Sequence, residues 1–421
     1  MTETIEPMTQ APIDQQFAQD LVDRARAEGV DLTGPGGLLT GLTKQVLETA
    51  LETELAEHLG YDKHDPAGRN RANSRNGTRS KTVLTEIGPV EIDVPRDREG
   101  SFEPVIVKKR QRRLAGIDNA VLALTARGLT TGEVEAFFDE TYGVHLGKDT
   151  ISRITEKVIE EMTDWCHRPL DSVYPVVFVD AVYVKIRDGQ VVNRPIYVAL
   201  AVTTNGEREI LGLWAGDGSE GAKYWLSVLS EIKNRGVADV CIVVCDGLKG
   251  LPDAINTVWP AAIVQACVLH LIRNSFHYAG RHDWEKMAKD LRPIYQAINA
   301  DVAAAQLEEF AGVWGQKYPA IVRLWRSAWA EFTPFLEYDI EIRKIISSTN
   351  AIESLNARYR RAVRARGHFP TELAALKCLY LVTRSLDPTG RGRARWAVRW
   401  KPALNAFAIT FEGRILPSQG N

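Results

Sequence analysis

The sequence predicts a multi-domain chain, α/β in its middle and mainly α on both sides, and three observations carry that assignment. Between residues 176 and 266 apolar, largely β-branched runs follow one another, the pattern of strands buried on both faces. Outside that stretch apolar residues recur every three or four positions, the period of amphipathic helices. A chain of 421 residues is long enough for two or three separate cores.

Composition is that of a globular protein, 45% hydrophobic and 25% charged. No run approaches the ~20 apolar residues a membrane helix needs, and the first residues lack a signal peptide's basic and apolar regions. With five cysteines, an odd number lying mostly in apolar runs, a reducing cytoplasmic location is expected. The net charge of −2 conceals an asymmetry. Residues 1–59 carry 11 acidic against 3 basic side chains, whereas residues 340–401 carry 14 basic against 4 acidic. Local basic stretches of this kind favour a polyanionic partner.

Residues 1–60 read as an acidic helical region, with apolar Leu38, Leu39, Leu42, Val46, Leu47, Leu51 and Leu55 at helical spacing after a Gly-Pro-Gly-Gly breaker. Residues 61–115 form a basic segment. Its stretch 62–81 is rich in Arg, Asn and Gly, builds no core, and is suited to lie along phosphates through Arg69, Arg71, Arg75 and Arg79. Residues 82–95 read as a β-hairpin with Gly88-Pro89 at the turn. The densest basic run follows, Lys108, Lys109, Arg110, Arg112 and Arg113, a second expected nucleic-acid contact that a plain surface linker would also resemble. Residues 116–170 read as three helices. The Gly-containing break at 142–147 makes the last pair resemble a helix-turn-helix, with Thr150, Ser152, Arg153 and Lys157 on the recognition side.

Residues 171–274 switch to strand periodicity. A strand at 176–186 runs through an Asp188-Gly189 turn into 195–204, and a third strand at 209–214 follows Asn205-Gly206. A helix at 221–235, a strand at 240–245, a short helix at 254–259 and a strand at 262–266 complete an order β-β-β-α-β-α-β. That is the order of a ribonuclease H-like core. Residues 275–346 read as an all-helical insertion, residues 347–386 as the helices that complete the core, and residues 387–421 as a basic C-terminal tail.

Asp180 is a carboxylate inside an otherwise apolar strand, so it needs a hydrogen-bonding partner, a proton or a metal ion. Asp246 stands where the fourth strand ends, and in the expected strand order those two strands are neighbours. Two close carboxylates repel unless a proton or cation lies between them, and a hard divalent cation with oxygen ligands answers that need. Glu353 is the third carboxylate expected to join them from a packed helix, although Asn350 and Glu353 also fit a capping box. Arg360 and Arg364 continue its helix face, beside an apolar stripe of Ile352, Leu355, Tyr359 and Val363.

Four blocks, residues 178–189, 244–250, 267–274 and 348–356, closely resemble the signatures of the Mutator-type bacterial insertion-sequence transposases. The likeness extends to 75–78, 94–104, 214–225 and 367–370, and covers roughly residues 70–386. Ser348 and Val182 depart mildly from the usual Thr and Ile. The resemblance implies a DDE recombinase with a ribonuclease H-like core and Asp180, Asp246 and Glu353 as catalytic, metal-holding triad. It implies Mg²⁺ or Mn²⁺, two ions, and double-stranded DNA as partner, both terminal inverted repeats and target. A homodimer or larger assembly on DNA is expected, and no membrane. The implied reaction is metal-dependent DNA cleavage and strand transfer. Cys267 and His270 have zinc-like spacing, but no second close pair accompanies them and zinc is not favoured. They are expected to support the site with Arg273 and Asn274, His270 orienting DNA or a catalytic carboxylate unless it is a bonded histidine at a helix start. The competing functions are a domesticated transposase serving as a DNA-binding protein, and a ribonuclease H-like nuclease.

Overall fold

The computed structural model describes residues 15–32, 36–68, 71–347, 350–386 and 394–415. They divide into two compact units, one of residues up to Leu124 with Thr130–Thr155, the other of Thr125–Leu129 with the chain from Glu156 onward.

The first unit opens with helices α1 (Gln15–Glu28) and α2 (Leu38–Leu59) and an antiparallel ribbon of β1 (Arg75–Thr85) and β2 (Gly88–Asp97). Its core forms because α2 presents one leucine per turn. Leu47 and Leu51 pack with Val83, Val90, Ile92 and Val107, and Leu55 and Leu59 pack with Phe102. The ribbon is longer than the expected 82–95 hairpin, for Arg75 pairs with Asp97 and the polar stretch 75–81 is strand rather than loop. A two-stranded ribbon with exposed faces needs no apolar residues to pair its backbone, so local polarity hid it. The turn is Glu86-Ile87, closed by the Thr85 hydroxyl donating to Gly88 O at 2.8 Å. Gly88-Pro89 starts the second strand instead of making the turn.

Three helices follow, α3 (Ala115–Ala126), α4 (Thr131–Tyr142) and α5 (Lys148–His167). A capping box between Thr130 and Glu133 starts α4, and Gly143 at φ +62° ends it. Ile151, Ile154, Val158 and Met162 form the buried stripe of α5.

The second unit holds a five-stranded mixed sheet of β3 (Val173–Asp188), β4 (Gln190–Val202), β5 (Arg208–Ala215), β6 (Asp239–Cys245) and β7 (Ile263–Ala266), in the order β5-β4-β3-β6-β7. The first three strands are antiparallel and joined by short turns. β6 and β7 are parallel to β3 and are reached through α6 (Ala222–Asn234) and α7 (Leu251–Val258). Parallel strands need both faces covered. On one face Val177, Val179, Tyr197 and Ala199 pack with Trp225, Leu229, Ile232 and Ile255 of α6 and α7.

Beyond β7 come α8 (Val268–His277), α9 (Trp284–Tyr295), α10 (Ala300–Trp314), α11 (Pro319–Ser327), α12 (Trp329–Phe332) and α13 (Ile340–Ile346). Fully buried Gln265 fastens this helical stretch to β7, its amide donating to Phe332 O at 2.9 Å and its carbonyl accepting from Phe335 N at 2.8 Å. Then α14 (Asn350–Arg366) and α15 (Glu372–Leu386) return to the sheet against β3 and β5.

Residues 394–410 are a helix, α16 (Ala394–Thr410), and correct the expectation of a basic tail. Trp400, Ala403, Phe407 and Phe411 are buried at three- and four-residue spacing. Past the helix Arg414 grips Asp239 with two hydrogen bonds of 2.8 Å. The neighbouring arginines drew attention from that apolar stripe. No helix among the described residues is long and apolar enough to cross a membrane.

Candidate functional site

The register of β3 against β6 decides where two of the three expected carboxylates go. The last paired residues are Val179 and Cys245, so Asp180 and Asp246 each stand one residue beyond, side by side where the parallel pairing ends. Neighbouring strands lie about 4.8 Å apart, which brings the two side chains into one neighbourhood although 66 positions separate them. Both line an open cleft of about 400 Å³ with Ala181, Tyr183 and Leu248 on the sheet side and His270, Arg360, Val363 and Arg364 on the helices.

Asp180 is 5% exposed. Its Oδ1 accepts from the Ala181 amide at 2.7 Å, and its Oδ2 accepts from the side-chain amide of Asn356 at 2.5 Å. Burial pushes its carboxyl above the usual carboxylate range and Asp246 adds to that. His270, the Ala181 N–H and Arg360 oppose the shift. Asp246 is half-buried and accepts from the Gly247 amide at 3.0 Å.

The position of His270 follows from the backbone. Cys267 N donates to Cys245 O at 2.9 Å, tying the start of α8 to the end of β6. Cys267 is buried as the N-cap of α8, and one turn later His270 Nε2 lies 3.9 Å from Asp180 Oδ1. The histidine therefore addresses the carboxylate, whereas its Nδ1 is buried without a partner. Asn274 is half-buried further along α8.

Helix α14 is fixed from both sides. Gly367 at φ +77° ends it. The chain then returns to β3, where Phe369 N donates to Lys185 O at 2.8 Å and Arg187 N donates to Phe369 O at 2.9 Å. Ile352, Leu355, Tyr359 and Val363 are buried, which turns Arg360 and Arg364 to the cleft. Glu353 lies on that helix but does not join the two aspartates. Its Oε1 accepts from Arg273 Nη2 at 2.5 Å, and among the described residues no three His, Cys, Asp or Glu side chains cluster as metal ligands would. Of the three expected carboxylates, Asp180 and Asp246 line the cleft, and Glu353 is held by Arg273. A guanidinium within reach forms a charge-assisted bond that holds the third. The side chain of Asn350, and with it the capping-box reading, lies outside the described residues, as do Ser348 and Thr349.

Two further residues belong to the site, Asn356 behind Asp180 and Tyr183 in the cleft lining. Asn356 interrupts the apolar stripe of α14 much as Asp180 interrupts its strand, a signal that was present. Tyr183, 64% exposed at the cleft, offered none.

The basic residues expected to meet nucleic acid differ in what they touch. Arg71 donates to Leu59 O at 2.9 Å and lies over the Tyr61 ring, and Arg75 pairs with Glu52 at 2.5 Å, so both brace the unit. Arg113 pairs with Asp118 at 3.1 Å and Lys109 donates to Gly100 O at 3.0 Å. Arg79, Lys108, Arg110 and Arg112 are exposed. On α5, Arg153 donates to the Thr150 hydroxyl at 3.3 Å, Ser152 is half-buried and Lys157 is exposed. Arg69 lies outside the described residues.

Two close carboxylates opposite two arginines offer oxygen ligands for a hard cation and positive charge for a phosphodiester, the chemistry of phosphoryl transfer on nucleic acid. The chain belongs to the Mutator family of transposases, whose model matches residues 13–389, and membership makes it a DNA transposase. It is 43% identical over 401 residues to the probable transposase for insertion sequence element ISRM3-like of Sinorhizobium fredii, covering 94% of this chain and 98% of that one. The transposase for ISRM3 of Rhizobium meliloti matches equally, at 43% over the same shares. A probable insertion-sequence transposase of Corynebacterium diphtheriae is 42% identical, covering 76% of this chain and 99% of that one. Among solved structures, the Drosophila P element transposase strand transfer complex covers 74% of this chain and 83% of its own at 11% identity, with a TM-score of 0.28.

Proposed function

We propose that this transposase recognises the terminal inverted repeats of its own element, cleaves the DNA there and joins the freed ends to target DNA, with Asp180, Asp246 and Glu353 as its catalytic carboxylates. The observation that carries the reading is the meeting of Asp180 and Asp246 at the end of the β3–β6 pairing, opposite Arg360 and Arg364. The strand order β5-β4-β3-β6-β7, with α14 packed on β3, supports a ribonuclease H-like core. In that core the helices from α9 to α13 are an insertion.

The donor set suits Mg²⁺ or Mn²⁺, because Asp180 and Asp246 offer carboxylate oxygens to the cleft and Asn356, whose amide holds Asp180, keeps a buried Oδ1 without a partner. Such ions, when bound, supply Lewis-acid activation of the attacking oxygen and stabilisation of the leaving oxygen. Asp180 and Asp246 hold the charge that attracts them, and Glu353 completes the set on release from Arg273. Arg360 and Arg364 bind the phosphate backbone along the cleft, and His270 orients Asp180. Recognition of the repeats falls to the exposed basic residues of the segment 61–115 and of the helix-turn-helix-like region 116–170. DNA-bound copies act as a dimer or larger assembly, one per element end.

Labelled element ends incubated with Mg²⁺ test the reading. The wild-type chain yields cleaved and strand-transferred products, and Asp180→Asn, Asp246→Asn and Glu353→Gln bind the ends but yield neither. Cleavage without joining would indicate a nuclease. Biological activity that survives Asp180→Asn would indicate a DNA-binding protein that no longer needs the cleft.

A further inference from the structure

We infer that Asn356 is a positioning residue of this cleft, holding the Asp180 carboxylate in one orientation while leaving it anionic and open to a divalent cation. The inference rests on the metal-binding reading of the cleft. It starts from a misfit in α14, whose buried stripe of Ile352, Leu355, Tyr359 and Val363 also contains Asn356, fully buried. An amide in such a stripe loses hydration, and an aliphatic residue of the same shape would pack there without that loss.

The amide has one protein partner, the Oδ2 of Asp180 at 2.5 Å. A carboxylate only accepts hydrogen bonds, so the NH₂ end must face it and Oδ1 is turned elsewhere. That Oδ1 has no partner, and neither does Nδ1 of His270, whose Nε2 lies 3.9 Å from the other carboxylate oxygen. Only four buried side-chain polar atoms among the described residues lack a partner, and two of them belong to Asn356 and His270, the side chains that face Asp180. Unsatisfied polar atoms on the very side chains that hold one charged group mark a place arranged for something other than the fold itself.

The choice of an amide is chemically specific. A guanidinium in its place would form a forked ion pair, neutralising Asp180 and taking lone pairs from both oxygens. Asn356 and the Ala181 N–H instead give each oxygen one neutral donor. Each oxygen keeps a further lone-pair direction, and the negative charge stays in the cleft. Partners that orient a metal ligand in this way typically govern metal affinity.

The test is a Mn²⁺ titration of the full-length, DNA-free chain, following free Mn²⁺ by electron paramagnetic resonance. Asn356→Leu keeps the packing and removes the donor. It is expected to melt no lower than wild type, yet to bind Mn²⁺ about 10- to 100-fold more weakly. Should that variant fail to fold, Asn356→Ala carries the same expectation. Wild-type Mn²⁺ affinity in either folded variant, alongside lost affinity in Asp180→Asn, overturns the role of Asn356 alone. Wild-type affinity in Asp180→Asn overturns the metal reading on which the inference rests.

Discussion

Glu353 and Arg273 form an ion pair of 2.5 Å that joins α14 to α8 across 80 positions of sequence. It sets the carboxylate of one helix against a neighbour of His270 on the other. On the proposed metal-binding reading, Arg273 competes with the cations for Glu353. A phosphate that engaged Arg273 would release the carboxylate toward Asp180 and Asp246.

Arg273→Gln should therefore bind Mn²⁺ a few-fold more tightly than wild type in the absence of DNA. It should lose under ~1 kcal/mol of stability, since the guanidinium is half exposed. The same titration with thermal melts checks both. Weaker or unchanged Mn²⁺ binding would show that the pair does not restrain Glu353.

Asp180 should cost the fold stability at neutral pH. Burial, with Asp246, raises its folded pKa above the unfolded value, so the penalty is absent below the ordinary carboxylate range and complete above the raised pKa. Asp180→Asn is expected to raise the melting temperature at pH 7 in chelator, because the burial penalty on the charged form is then gone. The gain should shrink as pH falls toward ~4, near the unfolded pKa. A variant less stable than wild type at pH 7 would contradict this.

Asp97 should behave in the opposite sense. Burial would raise its pKa. The side chains of Asn73 and Ser101 and the amides of Phe102 and Ser101 outweigh that, and hold the carboxyl far below its usual range. Its contribution is then present above the unfolded pKa and is lost as pH falls below ~4. Asp97→Asn replaces an acceptor with a donor and should destabilise the first unit by about 1–3 kcal/mol. Hydrogen exchange across residues 73–102, faster in the variant at pH 7, reads this directly.

The exposed loop cations Lys108, Arg110 and Arg112 should contribute to DNA affinity through counterion release. Replacing all three with Gln is expected to flatten the plot of log K against log salt by about 0.9 for each phosphate that is no longer neutralised. An unchanged slope would remove the loop from the interface.

Much of the second unit is legible in the sequence, because a strand buried on both faces must be apolar at nearly every position. The run through Val176–Val179 and Ala181–Val182 exposes Asp180 as its exception, and the glycine turn after Asp188 sets the next strand. Asp246 is legible for a similar reason, at the point where Val240–Cys245 stops. The C-terminal helix was equally written, in Trp400, Ala403, Phe407 and Phe411, but the surrounding arginines read more loudly than a stripe of four. The strand at 75–81 was not, since backbone pairing in an exposed ribbon leaves no apolar trace.

By itself the sequence determined most of the elements of the second unit, the four motif blocks and the unusual carboxylates, because periodicity and spacing are local properties of the chain. Which side chains meet was decided only in three dimensions. The β3–β6 register places Asp180 beside Asp246. The rotation of α14 gives Asp180 to Asn356, 176 positions away, and gives Glu353 to Arg273. Spacing along a helix tells which residues share a face. It does not tell what that face will find opposite, and for a buried charge the partner found there sets both its energy and its use.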